Sequence, residues 1–442
     1  MRGTRASLAR CLIAVSLVAF MMHCNGKQQK TVVRDEKKAV SGDFGDIYYR
    51  ETVRILREMW ENEQEHIDTI AARLAEALRS GKTVVWDANA GHHAMFECDP
   101  TLPCLPKGGM RSSTDFSGNR ENIDRLVKGD ILVTNYINEQ TYNAHERGVH
   151  VIGVTCSYFL NKKFGVDILK PNFKDLILDD ISDDVFDTHM TEQMGLVHVP
   201  YIPEMKVGPG CGTFSAVVYW LMVSEVANRM AKGPAAGRLE YAPKYMTTLF
   251  DRLERSYKEQ RPAVWSAARE VAAKIGNGGR MWVESEPRGV WASASGMSMG
   301  LVFTNHWPKE QMKAGDVLFV ADVTSDPDSK MVQEARTAKE RGLYLVASGP
   351  ATQSELKKLA DVYFDNLSPE GYGVFKMEGY ENGIALLGSV VNNVLYNMFA
   401  IQMTQEMNHR GWYPKYYMSY IWQGASGGYF EHINWVVNRV GY

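Results

Sequence analysis

The chain has 442 residues, of which 45% are hydrophobic, 23% charged and 11% aromatic, a composition that excludes wholesale disorder, collagen and coiled coil. Its 49 Lys and Arg against 52 Asp and Glu leave a net charge of −3, so there is no global basic field for nucleic acid. About 400 residues remain once a leader and tether are set aside, enough for two or three domains of about 150 residues.

The chain opens with Arg2, Arg5 and Arg10, then the apolar run Cys11 to Met22, then His23 and Cys24. A positive start with a short apolar run fits an export signal and is short for a spanning helix. Cys24 stands where the lipidated cysteine of a lipoprotein would stand, although His23 replaces the usual small residue. A cleaved signal, an uncleaved anchor and a misread N-terminus are the other readings. The expectation is an exported protein held at the membrane, periplasmic or at the cell surface; a misread N-terminus would make it cytoplasmic. Residues 1–24 are assigned to the leader and 25–45 to a polar, mixed-charge tether.

From Tyr48 to Leu78 apolar residues recur at spacings of three, four and seven, which predicts a long helix. Gly81 stops it, and Thr83-Val-Val-Trp86 reads as a buried strand. Then follow a strand at Asp130 to Thr134, a short helix at Glu139 to Arg147, a glycine cap at Gly148 and a strand at Val149 to Val154. Apolar strands separated by helices argue for a parallel sheet covered on both faces.

The order then recurs. Helix is predicted over Pro262 to Ile275, strand over Arg280 to Val283, and a small-residue helix over Gly289 to Phe303. Lys313-Ala-Gly-Asp-Val-Leu-Phe-Val320 matches Val127-Lys-Gly-Asp-Ile-Leu-Val133, with the paired Gly-Asp steps 186 residues apart (316 − 130). A helix over Asp328 to Arg341, a cap at Gly342 and a strand over Leu343 to Ser348 complete the match. Long apolar helices, Thr213 to Met230 and Ile384 to Met407, close the halves. One duplicated α/β domain accounts for both sets. The first half is placed at 46–232, a linker and helical lead-in at 233–254, and the second half at 255–442.

Each half resembles a sugar isomerase (SIS) domain, especially its phosphosugar-binding branch. The likeness lies in the long helix, Gly-Lys turn and strand, then Ala90-Gly91-His92-His93 and Lys107-Gly-Gly109. It continues in Leu359-Ala-Asp-Val-Tyr-Phe-Asp-Asn366, Pro369-Glu-Gly371 and the closing stretch Met418 to His432 with Asn434. The resemblance implies two three-layer α/β/α domains with parallel sheets, related by a pseudo-twofold axis, and a sugar ligand held where paired domains meet.

Ligands of open parallel sheets bind beyond the carboxyl ends of the strands. The first such loop holds Gly91, whose bare backbone lets amides approach an anion, with His92 and His93. In the resemblance a phosphate-contacting serine takes the place of His93, and an acidic pair follows, here Glu97 and Asp99. Glu97 would then be a general base, with His92 or His432 as acid. The family's serine-rich phosphate loop corresponds to Thr134-Asn135 in the first half, where most hydroxyls are gone. In the second half Thr324, Ser325 and Ser329 remain among Asp322, Asp326 and Asp328. Three carboxylates repel a phosphate by several kcal/mol unless cations intervene; alternatively Asp326-Pro327-Asp328 caps the following helix. Ser285 and Arg288 are anion candidates in the second half's first loop. Ser293, Ser295 and Ser298 read as close packing or as a hydroxyl row facing a sugar.

Cys98 and Cys104 flank a turn-rich loop, as a local disulfide or as free thiols. Cys156 and Cys211 read as buried small hydrophobes. The spacing of His92, His93, Cys98 and Cys104 matches no standard zinc frame, so no metal or other cofactor is expected. The aromatic C-terminus, from Trp412 to Trp435, is read as packing, a sugar platform or a dimer contact, which leaves a homo-oligomer open. The expected function is binding of a carbohydrate derivative, phosphorylated or not, without requiring turnover. The alternatives are an isomerase or lyase using a Glu/His pair, and a catalytically dead scaffold.

Overall fold

The computed structural model describes residues 42–87, 111–112, 121–135, 137–155, 176, 178–190, 195–233, 237–294, 301, 304, 308–368, 373–376, 383–414 and 416. Helix α1 (Phe44–Arg79) leads into β1 (Val84–Asp87) and β2 (Arg111–Ser112). There follow α2 (Glu121–Asp124), β3 (Ile131–Thr134), α3 (Glu139–Glu146), β4 (His150–Thr155) and β5 (Asp184–Asp187). These strands form one parallel sheet in the order β2-β1-β3-β4-β5. An antiparallel pair, β6 (Gly195–Val199) and β7 (Ile202–Pro209), then hands the chain to α4 (Cys211–Lys232).

The second half repeats the plan. Helix α5 (Tyr241–Gly276) has 36 residues, as α1 does. It runs unbroken through residue 255, where the sequence alone placed a boundary. Strand β8 (Met281–Ser285), helix α6 (Gly289–Ala294), β9 (Val317–Ala321), α7 (Lys330–Glu340), β10 (Tyr344–Gly349), α8 (Ser354–Leu359) and β11 (Val362–Asp365) follow. The sheet is parallel in the order β8-β9-β10-β11, and a parallel bridge from Met281 to Thr304 marks the place that β2 takes in the first half. Strands β12 (Gly373–Phe375) and β13 (Ile384–Leu386) pair antiparallel before α9 (Gly388–Asn408). Ile384 therefore lies in a strand, where periodicity had predicted the start of the closing helix. Of the small-residue helix expected over Gly289 to Phe303, the described part is α6.

The same hydrogen bonds recur at matching places in both halves. Asp130 accepts the amides of Thr83 and Val127, each at 2.9 Å; Asp316 accepts those of Arg280 and Lys313, each at 2.9 Å. The carboxylate ties the turn before the strand to the neighbouring strand, which is why a Gly-Asp step starts both β3 and β9. Gly148 (φ 77°) and Gly342 (φ 75°) end α3 and α7 in the left-handed conformation that glycine adopts without a Cβ penalty. Tyr48 Oη donates to the Pro209 carbonyl at 2.8 Å, and Tyr245 Oη to that of Leu386 at 3.3 Å.

The strands are apolar on both faces because each face is covered. Val317, Phe319 and Ala321 join the large core with α1, α4, α5 and α9, while Leu318 and Val320 pack under α7 and α8. Leu132 and Val85 meet α2 and α3 in the same way. The large core draws on both halves. Helix α9 is buried from Gly388 to Thr404, and its buried amides Asn392, Asn393 and Gln402 are each taken up by hydrogen bonds to neighbouring elements. Each closing helix also caps the leading helix of the other half. Gln405 and Gln402 accept the amides of Phe44 (2.9 Å) and Gly45 (3.2 Å). Glu225 of α4, fully buried, accepts those of Glu240, Tyr241 and Ala242 at 2.6–2.7 Å. These amides have no partner inside their own helix. Among the described residues no helix is long and apolar enough to cross a membrane.

Candidate functional site

The carboxyl ends of both sheets collect buried polar side chains. In the first sheet these are Asp87 after Trp86, and Thr134 and Asn135 at the end of β3. In the second they are Ser285, Asp322, Ser348 and Asn366, at the ends of β8, β9, β10 and β11. Asn392 reaches them from the first turns of α9. Its Nδ2 donates to the Asp322 carbonyl at 2.8 Å. Its Oδ1 accepts from Ser348 Oγ at 2.7 Å and from Asn366 Nδ2 at 2.9 Å. The network fixes the base of the second crevice.

Thr324, Ser325 and Ser329 lie on one loop after β9, beside Ser285 on the neighbouring strand. Asp322 organises that loop. Its Oδ1 accepts the Thr324 amide at 2.9 Å and its Oδ2 the Ser329 hydroxyl at 2.6 Å. Ser329 Oγ in turn accepts the Val332 amide at 3.2 Å and is the N-cap of α7. The cap is therefore Ser329, not the Asp326-Pro327-Asp328 step. Asp326 instead accepts the Asp328 amide at 2.9 Å. Ser325 Oγ pairs with Thr352 Oγ1, and Gln353 Nε2 ties down the carbonyls of Thr324 (3.1 Å) and Asp326 (2.7 Å). Burial pushes the Asp322 carboxyl above its ordinary value, against the hydrogen bonds of Ser329 and Thr324, which lower it. The Thr324 and Asp328 amides and the Ser329 hydroxyl are thus turned onto the protein's own carboxylates and the Ser325 hydroxyl onto Thr352, while the Thr324 hydroxyl has no partner among the described residues.

Ser285 Oγ accepts the Trp291 amide at 2.9 Å and so shapes the start of α6. Arg288 is exposed, with its guanidinium 5.6 Å from the Trp291 ring centre. Ser293 Oγ donates to Asn393 Oδ1 at 2.9 Å, and Asn393 Nδ2 donates to Thr213 Oγ1 of α4 at 2.7 Å. Ser293 is therefore packed between the halves rather than facing a ligand. In the described part of the aromatic C-terminus, Tyr416 is fully buried with its hydroxyl on Thr404 and Trp412 is half-buried against the large core, whereas Tyr413 is exposed, 5.2 Å from Tyr201. Cys211 heads α4 as a half-buried free thiol. Cys24, Gly91, His92, His93, Glu97, Cys98, Asp99, Cys104, Cys156, Ser295, Ser298 and His432 lie outside the described residues.

Sequence reasoning missed Asn366, Asn392 and Ser348 as one network, and it missed Glu63 and His189. Glu63 is buried in the apolar stripe of α1 between Met59 and Ile67. Its Oε1 lies 2.8 Å from His189 Nε2 and its Oε2 2.6 Å from His66 Nδ1. A carboxylate at a core position of an amphipathic helix was the available signal. Among the described residues no group of three His, Cys, Asp or Glu is placed to hold a metal ion.

No family model and no curated protein matches the chain. Solved structures with a similar arrangement include the C-terminal domain of glucosamine-fructose-6-phosphate aminotransferase from Francisella tularensis. That match has 11% identity and a TM-score of 0.45, and it covers 83% of this chain and 98% of that one. A protein named as a candidate phosphosugar isomerase from Clostridium difficile 630 matches at 12% identity and a TM-score of 0.47, over 84% of this chain and 94% of that one. One named as a candidate tagatose-6-phosphate ketose/aldose isomerase from Clostridium novyi NT matches at 12% and 0.47, over 82% and 88%.

Proposed function

We propose that the protein binds an uncharged carbohydrate derivative at the carboxyl ends of its parallel strands. The observation that carries this reading is the loop after β9. A phosphate site needs free amides and hydroxyls with little negative charge nearby. Here the Thr324, Asp328 and Val332 amides and the Ser329 hydroxyl are already bonded within the loop. Asp326 and Asp328 are exposed beside them. The Thr324 hydroxyl, the one hydroxyl of the described loop left without a hydrogen-bond partner, is a neutral group that suits a sugar hydroxyl in either donor or acceptor role.

A thermal-shift screen with glucose, N-acetylglucosamine and the 6-phosphate of each tests the reading. A ligand at 100 Kd stabilises the fold by about 2.7 kcal/mol. The uncharged sugar of a pair should raise the melting temperature and its phosphate should raise it less. Stabilisation by the phosphates alone would instead support the sugar-phosphate isomerase or lyase reading.

Export and attachment through Cys24 belong to the same proposal. Wild type should fractionate with membranes and Cys24→Ser should not. Wild type found wholly in the cytoplasm with Met1 intact would overturn it.

A further inference from the structure

The corner at the end of the last parallel strand is built twice, and one copy is charged. In the second half Asp365 Oδ1 accepts the Leu367 amide at 2.8 Å, Leu367 is left-handed (φ 51°), and Gln260 Oε1 accepts the Asp365 amide at 3.2 Å. In the first half Asp187 Oδ1 accepts the His189 amide at 2.8 Å and His189 is left-handed (φ 58°). Gln260 is the twentieth residue of α5, and Glu63 is the twentieth of α1. The turn and the facing helix position are common to both. The residues change from Gln260 and Leu367 to Glu63 and His189, so the fold itself does not need the ionisable pair.

A buried carboxylate costs several kcal/mol unless it is paired. Glu63, 6% exposed, has an imidazole on each oxygen. With Nε2 engaged by Glu63, His189 has Nδ1 left over. That atom lies 4.0 Å from Glu58 Oε1, beyond hydrogen-bond reach, and makes no hydrogen bond among the described residues. A non-glycine residue in the left-handed region is uncommon. Here that conformation sets the ring just past the carboxyl end of β5, on the ligand-binding edge of such a sheet.

We infer that Glu63 and His189 form an acid–base pair that acts on a hydroxyl of the bound carbohydrate, so that proton chemistry resides in the first half. The inference rests on the carbohydrate reading above. Glu63 accepts from Nε2–H and so fixes the tautomer that leaves the Nδ1 lone pair to act. With a cyclic reducing sugar, Nδ1 takes the proton of the anomeric hydroxyl. The electron pair released forms the carbonyl, the bond from the anomeric carbon to the ring oxygen breaks, and water protonates the ring oxygen. The hydroxide left behind is neutralised when His189 gives up its proton. The Glu63 carboxylate stabilises the imidazolium in between.

The test uses the full chain with Glu63→Gln and His189→Leu combined, which copies the second half's corner and so should fold. Mutarotation of α-D-glucose and α-N-acetylglucosamine is followed by polarimetry, and binding of the same sugars by calorimetry. Nitrogen-15 NMR reads the His189 tautomer. Wild type should accelerate mutarotation and the double variant should lose at least tenfold of that rate while still binding sugar. Equal rates in both, or sugar binding by wild type without acceleration, overturns the inference and leaves the binding function standing. If no sugar binds, the carbohydrate reading fails. The NMR then decides the pair: a proton on Nε2 with Nδ1 bare supports it, and a proton on Nδ1 with Nε2 bare overturns it.

Discussion

Asp322 shows how one residue changes the meaning of a loop. Its carboxylate occupies the Ser329 hydroxyl and the Thr324 amide, so the stretch looks phosphate-like in composition while its donors point inward. The raised carboxyl has a consequence for stability. A folded value above the ordinary 3.8 means that the native state holds the proton more tightly than the unfolded chain does. The stability so contributed is present below pH 3.8 and is lost as pH rises through the folded value. Asp322→Asn removes that dependence. Between pH 4 and pH 7 the melting temperature of wild type should fall relative to that of the variant. A difference between them that does not change with pH would contradict the assignment. The intruding carboxylates were legible in the sequence. Their partners were not, because the choice between repelling a ligand and bonding the loop depends on a side-chain direction that spacing does not fix.

At the scale of elements, the leading helices were legible from their apolar periodicity, and the Gly-Asp steps marked both central strands. What periodicity could not show was how helix ends are satisfied. Asp46 and Asp43 at the start of α1 bind Arg261 of α5 at 2.7–2.8 Å, and the Arg261 guanidinium stacks 4.4 Å from the Trp265 ring centre. Burial raises the Asp46 carboxyl, but the Arg261 and Tyr257 hydrogen bonds outweigh it and leave it below its ordinary value. Hydrogen bonds to charged groups contribute about 1.5–3 kcal/mol. Arg261→Ala should therefore cost about 2 kcal/mol in urea unfolding, and less than 0.5 kcal/mol would show the contact to be solvated. Glu225→Ala should cost more, about 3–5 kcal/mol, because it strips three amides at once. Glu225→Gln should recover part of the loss, since Gln402 does the equivalent work in the other half.

In the whole molecule the duplication is accompanied by exchange. Each half's last helix caps the other's first, and one core runs through both. The halves should then unfold together. Urea transitions read by tryptophan fluorescence, with Trp86 and Trp282 each kept in turn as reporter from its own sheet, should have one midpoint. Separated midpoints would show two independent units. The sequence displayed the repeat but not this exchange, since the capping residues sit inside apolar helices where Gln402 and Glu225 read as interruptions. The same holds for the chemistry: Glu63 and His189 are 126 residues apart, and only the fold brings them together.

Ligand bound at the carboxyl ends of the strands should shield the backbone there. Hydrogen–deuterium exchange with and without the sugar that gives the largest thermal shift tests it most directly. Exchange should slow in residues 131–139, 185–190, 322–332 and 364–368, with the opposite strand ends, near Asp130, Asp183, Asp316 and Asp361, unchanged. Protection confined to those opposite ends, or none in any strand-end segment despite saturating sugar, would contradict it.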